Sequence, residues 1–334
     1  MKLGRNFTNL LDFNYLTDEE REKFYNGELS VEDVGVLCTE RVKRDICGYI
    51  NASIEIGFSH IELDGAVPNP FLDFTEDEII QIKEELRKHK ITVSLHLPYT
   101  FVGASVCAIQ QQDREMAVEL HKKYLDFAGK LGCISAVIHP GIVPFYHADS
   151  LYVEKYKKSL IESLIELADF ASSKEIKLHL ENETVFHNFL FMPDELFDIV
   201  KTVRDKGGEL YLNFDIGHWF TVIDAGLSIP ENPEQIIEKF PSDFLYELHL
   251  NDYIPEKKFF HPPLHRYSGI LKKENIQRFF EIAHKKGIKL IVIETAIREK
   301  EEMINAMGII KEESAIIKEI LKNVKKGHIT RNET

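Results

Sequence analysis

The sequence predicts a single-domain (β/α)8 barrel, and three observations point to this fold. Short runs of β-branched and apolar residues alternate with longer charged segments of helical periodicity. No stretch rich in proline, glycine or serine divides the 334 residues into domains. No Gly-x-Gly-x-x-Gly turn follows a predicted strand, which argues against an open doubly wound sheet. Repeated strand–helix units form a parallel sheet, and eight of them close into a barrel.

Eight strands are predicted, each short and each followed by a polar or glycine-containing segment. Their apolar, β-branched character is typical of strands. The predicted strands are residues 2–7, 59–63, 92–96, 135–139, 177–181, 210–215, 245–250 and 290–294.

The segments between the strands carry apolar residues at three- and four-residue spacing, which predicts amphipathic helices. Thr75 and Glu78 have the spacing of a capping box, and glycines such as Gly132 and Gly287 can end a helix in the left-handed conformation. The predicted helices are residues 74–90, 113–131, 153–173, 193–206, 233–240, 273–286 and 300–325, and residues 327–334 are predicted to fray.

Composition narrows the class of protein. The 41 basic and 55 acidic residues give a net charge of 41 − 55 = −14, which argues against a nonspecific nucleic-acid binder. No apolar run is long enough to span a membrane, and the N-terminus lacks the apolar stretch of a signal peptide. The four cysteines form no Cys-x-x-Cys pair, so we expect a reducing, cytoplasmic setting.

Acidic and imidazole side chains recur at the ends of seven successive predicted strands. In a barrel these ends meet on one face, where active sites are built. Carboxylates gathered there would repel one another, and a divalent cation offsets that repulsion. Carboxylate and imidazole ligands without cysteine suit manganese, cobalt, magnesium or zinc. The residues are Glu62, His96, His139, Glu181, Asp215, His218, His249 and Glu294.

Each residue also has a simpler interpretation when it is taken alone. A lone histidine at a strand end is usually a hydrogen-bonded core residue. Glu181 or Asp215 could cap the following helix. His179 and Glu183 could orient ligands rather than bind a metal themselves. Independent accidents would not place such side chains at the same end of seven successive strands, so the joint pattern predicts a metal site.

With these motifs the chain resembles the xylose-isomerase-like barrel superfamily, which contains sugar isomerases and epimerases and the endonuclease IV type of apurinic endonuclease. Each motif is short, and their order and spacing carry the resemblance. They are His96-Leu-Pro-Tyr, His139-Pro-Gly, Glu181-Asn182, Asp215-Ile-Gly-His218, His249-Leu-Asn-Asp252, His265 and Ile293-Glu294.

The resemblance implies a metal-dependent isomerase or epimerase of a small sugar or keto-polyol, free or phosphorylated. In that branch one divalent metal is held by Glu181, Asp215, His249 and Glu294. The two glutamates would also move a proton on or off the carbon beside the carbonyl, through an enediolate stabilised by the metal. His218 and Glu62 would bind substrate hydroxyls. The implied partner is thus a small carbohydrate, and a homo-oligomer is left open.

Two alternatives stay open at this point. The endonuclease branch binds three zinc ions and acts on abasic DNA, and its ligand positions would include His96, His139, His218 and His265. It carries an aspartate two residues before the last of these histidines, where this chain has Pro263, although His261 could compensate. The other alternative is a dehydratase of the keto-inositol type, which would use much the same ligands.

Three further features have predicted roles. Residues 12–34 form a long insertion after the first strand, which suggests a lid or a dimer contact. Arg5 could hold an anionic group of the substrate, or it could form a structural ion pair. The aromatic residues of segment 186–191 could wall a pocket, although buried packing is the simpler expectation.

Overall fold

Eight parallel strands form a closed barrel in the computed structural model, which describes residues 1–228 and 234–332. Each strand lies within one residue of its predicted bounds, so the predicted (β/α)8 barrel is confirmed. The barrel strands are β1 Lys2–Asn6, β2 His60–Asp64, β3 Thr92–His96, β4 Ser135–Ile138, β5 Lys177–Glu181, β6 Leu210–Asp215, β7 Leu245–Leu250 and β10 Leu290–Ile293. A hairpin of two short strands, β8 Tyr253–Ile254 and β9 Phe259–Phe260, comes after β7 and was not predicted.

Helices connect the strands and cover the outside of the barrel. Thr75 and Glu78 form the predicted capping box, and Gly132 and Gly287 end their helices with φ of 87° and 72°. No helix of the described residues is long and apolar enough to cross a membrane. The helices are α1 Asp18–Tyr25, α2 Val31–Arg44, α3 Ile46–Ile56, α4 Glu76–His89, α5 Gln111–Leu131, α6 Ser150–Ser173, α7 Pro193–Asp205, α8 Ile216–Phe220, α9 Gln235–Lys239, α10 Lys273–Lys286, α11 Lys300–Ile304 and α12 Ala306–Asn332.

The inside of the barrel is polar from its middle to its carboxyl end. Alternate residues of a strand point to opposite faces, so residues two apart share the barrel interior. Ser135 on β4 donates to Glu247 on β7 at 3.1 Å, a contact that crosses the barrel. Glu62 on β2 likewise faces His249 on β7 at 3.4 Å. The barrel therefore gathers buried charged groups inside a shell of apolar side chains.

The insertion after β1 is helical. Residues 12–34 form a turn of 3-10 helix at Asp12–Tyr15, then α1, and then the first residues of α2. None of the insertion lines the polar cavity at the carboxyl ends of the barrel strands. A role as lid or dimer contact stays a prediction.

Arg5 does not lie where an anionic substrate could reach it. Its side chain is fully buried and donates to Glu313 at 2.7 Å and to Thr295 at 2.9 Å. The hypothesis of an anion-binding Arg5 is therefore wrong, and the alternative of a structural ion pair holds. A charged guanidinium is buried here because a carboxylate and a hydroxyl compensate it.

The C-terminal segment forms two helices instead of the one that was predicted. α11 ends at Ile304, and α12 begins at Ala306 after Asn305. The Asn305 side chain lies against Gly308, where a Cβ would clash with its amide. α12 continues to Asn332 through most of the region that was predicted to fray, and residues 333–334 lie outside the described residues.

Asp12 is a buried acid without a hydrogen bond. Both of its carboxyl oxygens lack a partner among the described residues. Burial raises the pKa of Asp12 from 3.8 to about 7, although the charge of Lys43 opposes this shift. The folded state thus retains a proton that the unfolded chain has lost, and stability falls as the pH rises from about 4 to about 7.

Replacing this acid by its amide should stabilise the protein in a pH-dependent way. A shift of about three pK units corresponds to roughly 4 kcal/mol of stability lost at high pH. The substitution recovers only part of this energy, because the amide is also a polar group buried at this position. We expect Asp12→Asn to raise the free energy of unfolding by about 1–3 kcal/mol at pH 8 and to change it little at pH 4. Urea unfolding at both values measures this. Asp73→Asn, at an exposed 3-10 position, is the control. An equal effect of Asp12→Asn at both pH values would contradict the account.

Candidate metal and substrate site

A cavity of about 200 Å³ opens at the carboxyl ends of the barrel strands. Its lining is polar and combines carboxylates, imidazoles, hydroxyls and amides. The lining residues are Asn6, Thr8, Asn9, Asp64, His96, Tyr99, His139, Glu181, Glu183, Thr184, His187, His218, His261, Glu294, Thr295 and Ala296.

The four residues predicted to hold one metal lie together: Glu181 and Glu294 line this cavity, and Asp215 and His249 are fully buried beside them. The Nδ1 atom of His249 is 3.1 Å from Glu181 Oε2, 3.6 Å from Glu294 Oε1 and 3.9 Å from Asp215 Oδ2. Each of these side chains comes from a different strand, or from the residue directly after it, so the barrel closure brings them together. The sequence-predicted set therefore forms one compact group of donors.

Glu181 occupies the centre of a larger group. Its Oε1 atom lies 3.5 Å from His139 Nε2 and 3.3 Å from His218 Nδ1. Its Oε2 atom lies 3.6 Å from His96 Nε2, besides the contact with His249. One carboxylate thus faces four imidazoles, two on each oxygen.

The structure brings His261 rather than His265 into this group. His261 lines the cavity, and its Nδ1 atom is 3.7 Å from Glu294 Oε2. His265 points away from the cavity toward Glu312 on α12, at 3.8 Å. The sequence left the choice between them open because both come after β7 in an irregular segment whose path depends on tertiary contacts.

Asp252 fixes the path of that segment. Its Oδ1 atom accepts hydrogen bonds from the backbone N–H groups of Tyr253, Ile270 and Leu271 at 2.8–3.1 Å. The backbone N–H of His261 also donates to the carbonyl oxygen of Asp252 at 2.9 Å. The last residue of the His-Leu-Asn-Asp motif thus ties down the loop that carries His261.

Asn251 connects two of the predicted ligands, and the sequence analysis missed this role. Its amide nitrogen donates to Asp215 Oδ2 at 2.6 Å and to Glu294 Oε2 at 2.9 Å. Its amide oxygen accepts from the backbone N–H of Gly217 at 2.6 Å. The signal was present, because Asn251 lies two residues after His249 and shares its side of the chain.

Asp215 has two roles at once. Its Oδ1 atom accepts from the backbone N–H of His218 at 2.6 Å and caps α8, as the simpler interpretation proposed. Its Oδ2 atom faces Asn251 and the metal-ligand candidates. The backbone of Asp215 is held in turn by the side-chain amide of Asn182, at 2.8 Å and 3.0 Å.

Glu183 and Glu62 differ in their position relative to the cavity, because Glu183 lines it and Glu62 does not. Glu183 accepts from His139 Nδ1 at 2.8 Å and also contacts His187, so it orients one histidine of the group. Glu62 was predicted to bind a hydroxyl group of the substrate. It is instead fully buried and does not line the cavity. His179 lies at the same depth and contacts Glu247 at 2.9 Å.

The segment 186–191 contributes little to the cavity. Phe189 and Leu190 are buried in the core, and Phe186 is partly exposed with its ring edge against Phe260. Within this segment only His187 lines the cavity. Buried packing therefore accounts for much of its aromatic character.

The two glutamates at the cavity have pKa values that are moved in opposite directions. Burial opposes ionisation of Glu181, but His249, His139 and His218 hold the pKa of its carboxyl well below its usual range. Burial raises the pKa of Glu294 to about 7, and the nearby carboxylates of Asp215 and Glu181 add to this rise. The two carboxyl groups thus differ in their affinity for a proton.

The donor set fits a divalent cation. Ligands around a cation with bonds of about 2.0–2.2 Å lie roughly 3–4 Å apart, which matches the distances within this group. Glu181 Oε1 and both ring nitrogens of His249 are buried without a hydrogen-bond partner. Four triads of the group have donor atoms within 4.8 Å of one another, so more than one ion could be held. They are His96–Glu181–His249, His139–Glu181–His218, Asp215–His218–His261 and Glu62–His249–Glu294.

Comparison with known proteins identifies the family. The family model described as "Xylose isomerase-like TIM barrel" matches residues 50–320, which is most of the chain. The chain belongs to this family. No curated protein matches its sequence.

Several solved structures share the fold of this chain. A D-tagatose 3-epimerase-like protein is 20% identical, with a TM-score of 0.61 and coverage of 96% of this chain and 99% of that one. D-psicose 3-epimerase from Clostridium cellulolyticum H10, solved with D-tagatose, is 16% identical, with a TM-score of 0.64 and coverage of 97% and 99%. A xylose isomerase-like protein from Mycobacterium smegmatis, solved with magnesium, is 17% identical, with a TM-score of 0.58 and coverage of 84% and 91%.

The affinity for a divalent cation should rise with pH, because the ligand atoms must lose their protons to bind it. With a pKa of about 7, Glu294 is about one-tenth ionised at pH 6 and about nine-tenths ionised at pH 8. The carboxylates of Asp215 and Glu181 raise the pKa of His218 to about 9 against the effect of burial. We expect the dissociation constant for Mn²⁺, measured by calorimetry, to fall at least tenfold from pH 6 to pH 8.

Two histidine variants test where this pH dependence arises. His218 lies 3.3 Å from the proposed ligand Glu181, and its positive charge opposes cation binding. His218→Gln removes this charge and should flatten the further rise in affinity between pH 8 and pH 9. His265→Gln, outside the group, should leave the profile unchanged. An affinity for Mn²⁺ that does not vary with pH in the unmodified protein would contradict the proposed ligand set.

Proposed function

We propose that this protein is a divalent-metal-dependent epimerase or isomerase of a small, uncharged polyhydroxy ketone. The observation that carries the proposal is the pair Glu181 and Glu294, two carboxylates that reach one small polar cavity beside the candidate ligands Asp215 and His249. A reaction that removes a proton at one face of a carbon and returns it at the other face needs such a pair.

The proposed reaction balances without an oxidant or a reductant. Ionised Glu181 takes the proton from the carbon beside the carbonyl, and the electrons of that C–H bond move toward the carbonyl oxygen. Glu294 then returns a proton, carried on the carboxyl oxygen that does not bind the cation, to the same carbon from the opposite face, which inverts it. Return to the neighbouring carbon instead would give an isomer. The two glutamates exchange protons with water between turnovers.

A divalent cation held by Glu181, Asp215, His249 and Glu294 would polarise the carbonyl group and offset the charge that develops on its oxygen. The chain supplies the geometry around it. Asn251 holds Asp215 and Glu294 in a fixed relation. The cavity is also lined by Asn6, Thr8 and Asn9, whose side chains can form hydrogen bonds with the hydroxyl groups of the substrate.

The size and charge of the cavity favour a free sugar over a sugar phosphate. Its volume of about 200 Å³ is below the roughly 300–1,000 Å³ of pockets for drug-sized ligands. Its lining includes four carboxylates and neither lysine nor arginine among the described residues. Lys43 is nearby, but it is paired with Asp64 at 3.5 Å. A terminal phosphate group would therefore find no lysine or arginine to pair with beside these four carboxylates.

A second candidate is a phosphodiesterase with more than one metal ion. It is favoured by the extra histidines His96, His139, His218 and His261, which extend the donor group beyond one ion. The net charge of −14 and a lining without lysine or arginine disfavour a nucleic-acid substrate. Cleavage of a DNA duplex with an abasic site by the zinc-loaded protein would favour this candidate over the epimerase.

Substituting either glutamate should abolish proton exchange. We expect Glu181→Gln and Glu294→Gln to lower the incorporation of deuterium from D2O into a ketohexose by at least 10²-fold at saturating Mn²⁺, because each removes a proton-transfer group. Mass spectrometry of the recovered sugar measures it. Glu40→Gln, on the exposed face of α2, is the control. Undiminished exchange in either cavity variant would exclude the mechanism.

Specificity for uncharged substrates can be tested with matched sugars. We expect kcat/KM for a free ketose to exceed that for its terminal phosphate ester by at least 10²-fold. Asp64→Asn frees the charge of Lys43 and removes one carboxylate from the lining, so it should narrow this difference. A preference for the phosphate ester in the unmodified protein would overturn the assignment of substrate class.

A further inference from the structure

Two buried carboxylates lie next to the Nε2 atom of His249. Glu62 Oε2 is 3.4 Å and Glu247 Oε1 is 3.7 Å from the Nε2 atom of His249. All three side chains are fully buried. The other ring nitrogen, Nδ1, faces Glu181, Asp215 and Glu294. The two ring nitrogens of His249 thus face different carboxylates.

Neighbouring side chains hold both carboxylates beside Nε2 in place. Ser135 donates to Glu247 Oε2 at 3.1 Å, and His179 Nδ1 lies 2.9 Å from the same atom. Ser94 donates to Glu62 Oε2 at 3.2 Å. Glu247 Oε1 and Glu62 Oε1 are left without a hydrogen-bond partner. Each carboxylate therefore keeps one oxygen atom that can still accept a hydrogen bond.

The position of one proton decides whether His249 can bind a metal. A neutral imidazole carries its proton on one ring nitrogen, and only the other nitrogen has a lone pair for a metal. Carboxylates at 3.4 Å and 3.7 Å from Nε2 favour a proton on that nitrogen, because their negative charge attracts the N–H group. The Nδ1 lone pair is then free on the side of Glu181, Asp215 and Glu294.

We infer that Glu62 and Glu247 are positioning residues that keep the proton of His249 on Nε2 and so present Nδ1 to the metal. This inference rests on the proposed metal-dependent function and deepens it. It gives Glu62 a role that differs from the substrate contact expected from the sequence. It also accounts for an energetically costly feature, the burial of two carboxylates in the middle of a barrel.

The test combines a spectroscopic readout with metal affinity. In protein labelled with ¹⁵N-histidine and loaded with diamagnetic Zn²⁺, we expect the NMR shifts of His249 to report a protonated Nε2 and a metal-bound Nδ1. In the double variant Glu62→Gln/Glu247→Gln, we expect Zn²⁺ to bind about 10–100-fold more weakly, as measured by competition calorimetry. Thermal unfolding of the metal-free proteins checks that the variant folds.

Two further variants control for nonspecific effects. Glu312→Gln removes an exposed carboxylate that faces His265 at 3.8 Å, and it should leave Zn²⁺ affinity unchanged. Ser135→Ala removes only the hydroxyl that holds Glu247, and it should weaken Zn²⁺ binding several-fold. It keeps the inference testable if the double variant does not fold.

The outcomes separate this inference from the proposed function. Zn²⁺ bound through Nε2 of His249, or an unchanged affinity in the double variant or in Ser135→Ala, would overturn the inference alone. Failure of the unmodified protein to bind any divalent cation would overturn the proposed function, and the inference with it.

Discussion

The structure depends on the burial of the Glu181 carboxylate among four imidazoles. A lone carboxylate in this position would be strongly disfavoured, because it has left water for the inside of a barrel. His96, His139, His218 and His249 compensate it at 3.1–3.6 Å. Their charges hold the pKa of Glu181 down, and their nitrogens form with it a group of metal donors. The same contacts therefore stabilise the buried charge and create the site.

The barrel makes this arrangement rigid. Except for His218, which lies in α8, these donors are carried by strands β3 to β7 and β10 or by the residues directly after them, so their spacing is set by the hydrogen-bonded register of a closed sheet. Residues next to the donors complete the group. Asn251 links Asp215 to Glu294, and Asp252 anchors the loop of His261. In the His-Leu-Asn-Asp motif, His249 is thus a candidate ligand, Asn251 connects two other candidate ligands, and Asp252 holds the loop in place.

Strand periodicity was sufficient to predict the barrel and the convergence of acidic and imidazole side chains at one of its ends, and the family resemblance selected four of them as candidate ligands. The eight strands have strong local patterns, and barrel closure alone makes Glu181, Asp215, His249 and Glu294 converge. The predictions that failed depended on long-range contacts. The environment of Arg5 could not be predicted because its partner Glu313 is 308 residues away. The choice of His261 over His265 depends on a loop without periodicity. Glu247 and Asn251 could have been found, since each lies two residues from His249.

The central claim is that this cluster of donors serves one catalytic divalent cation. Elemental mass spectrometry of protein purified without an affinity tag or chelator, and then supplied with manganese, cobalt, magnesium and zinc, tests it most directly. The account predicts about one divalent ion per chain, bound at the group around Glu181. Two or three tightly held zinc ions per chain would contradict it and would favour the phosphodiesterase chemistry of a multinuclear site.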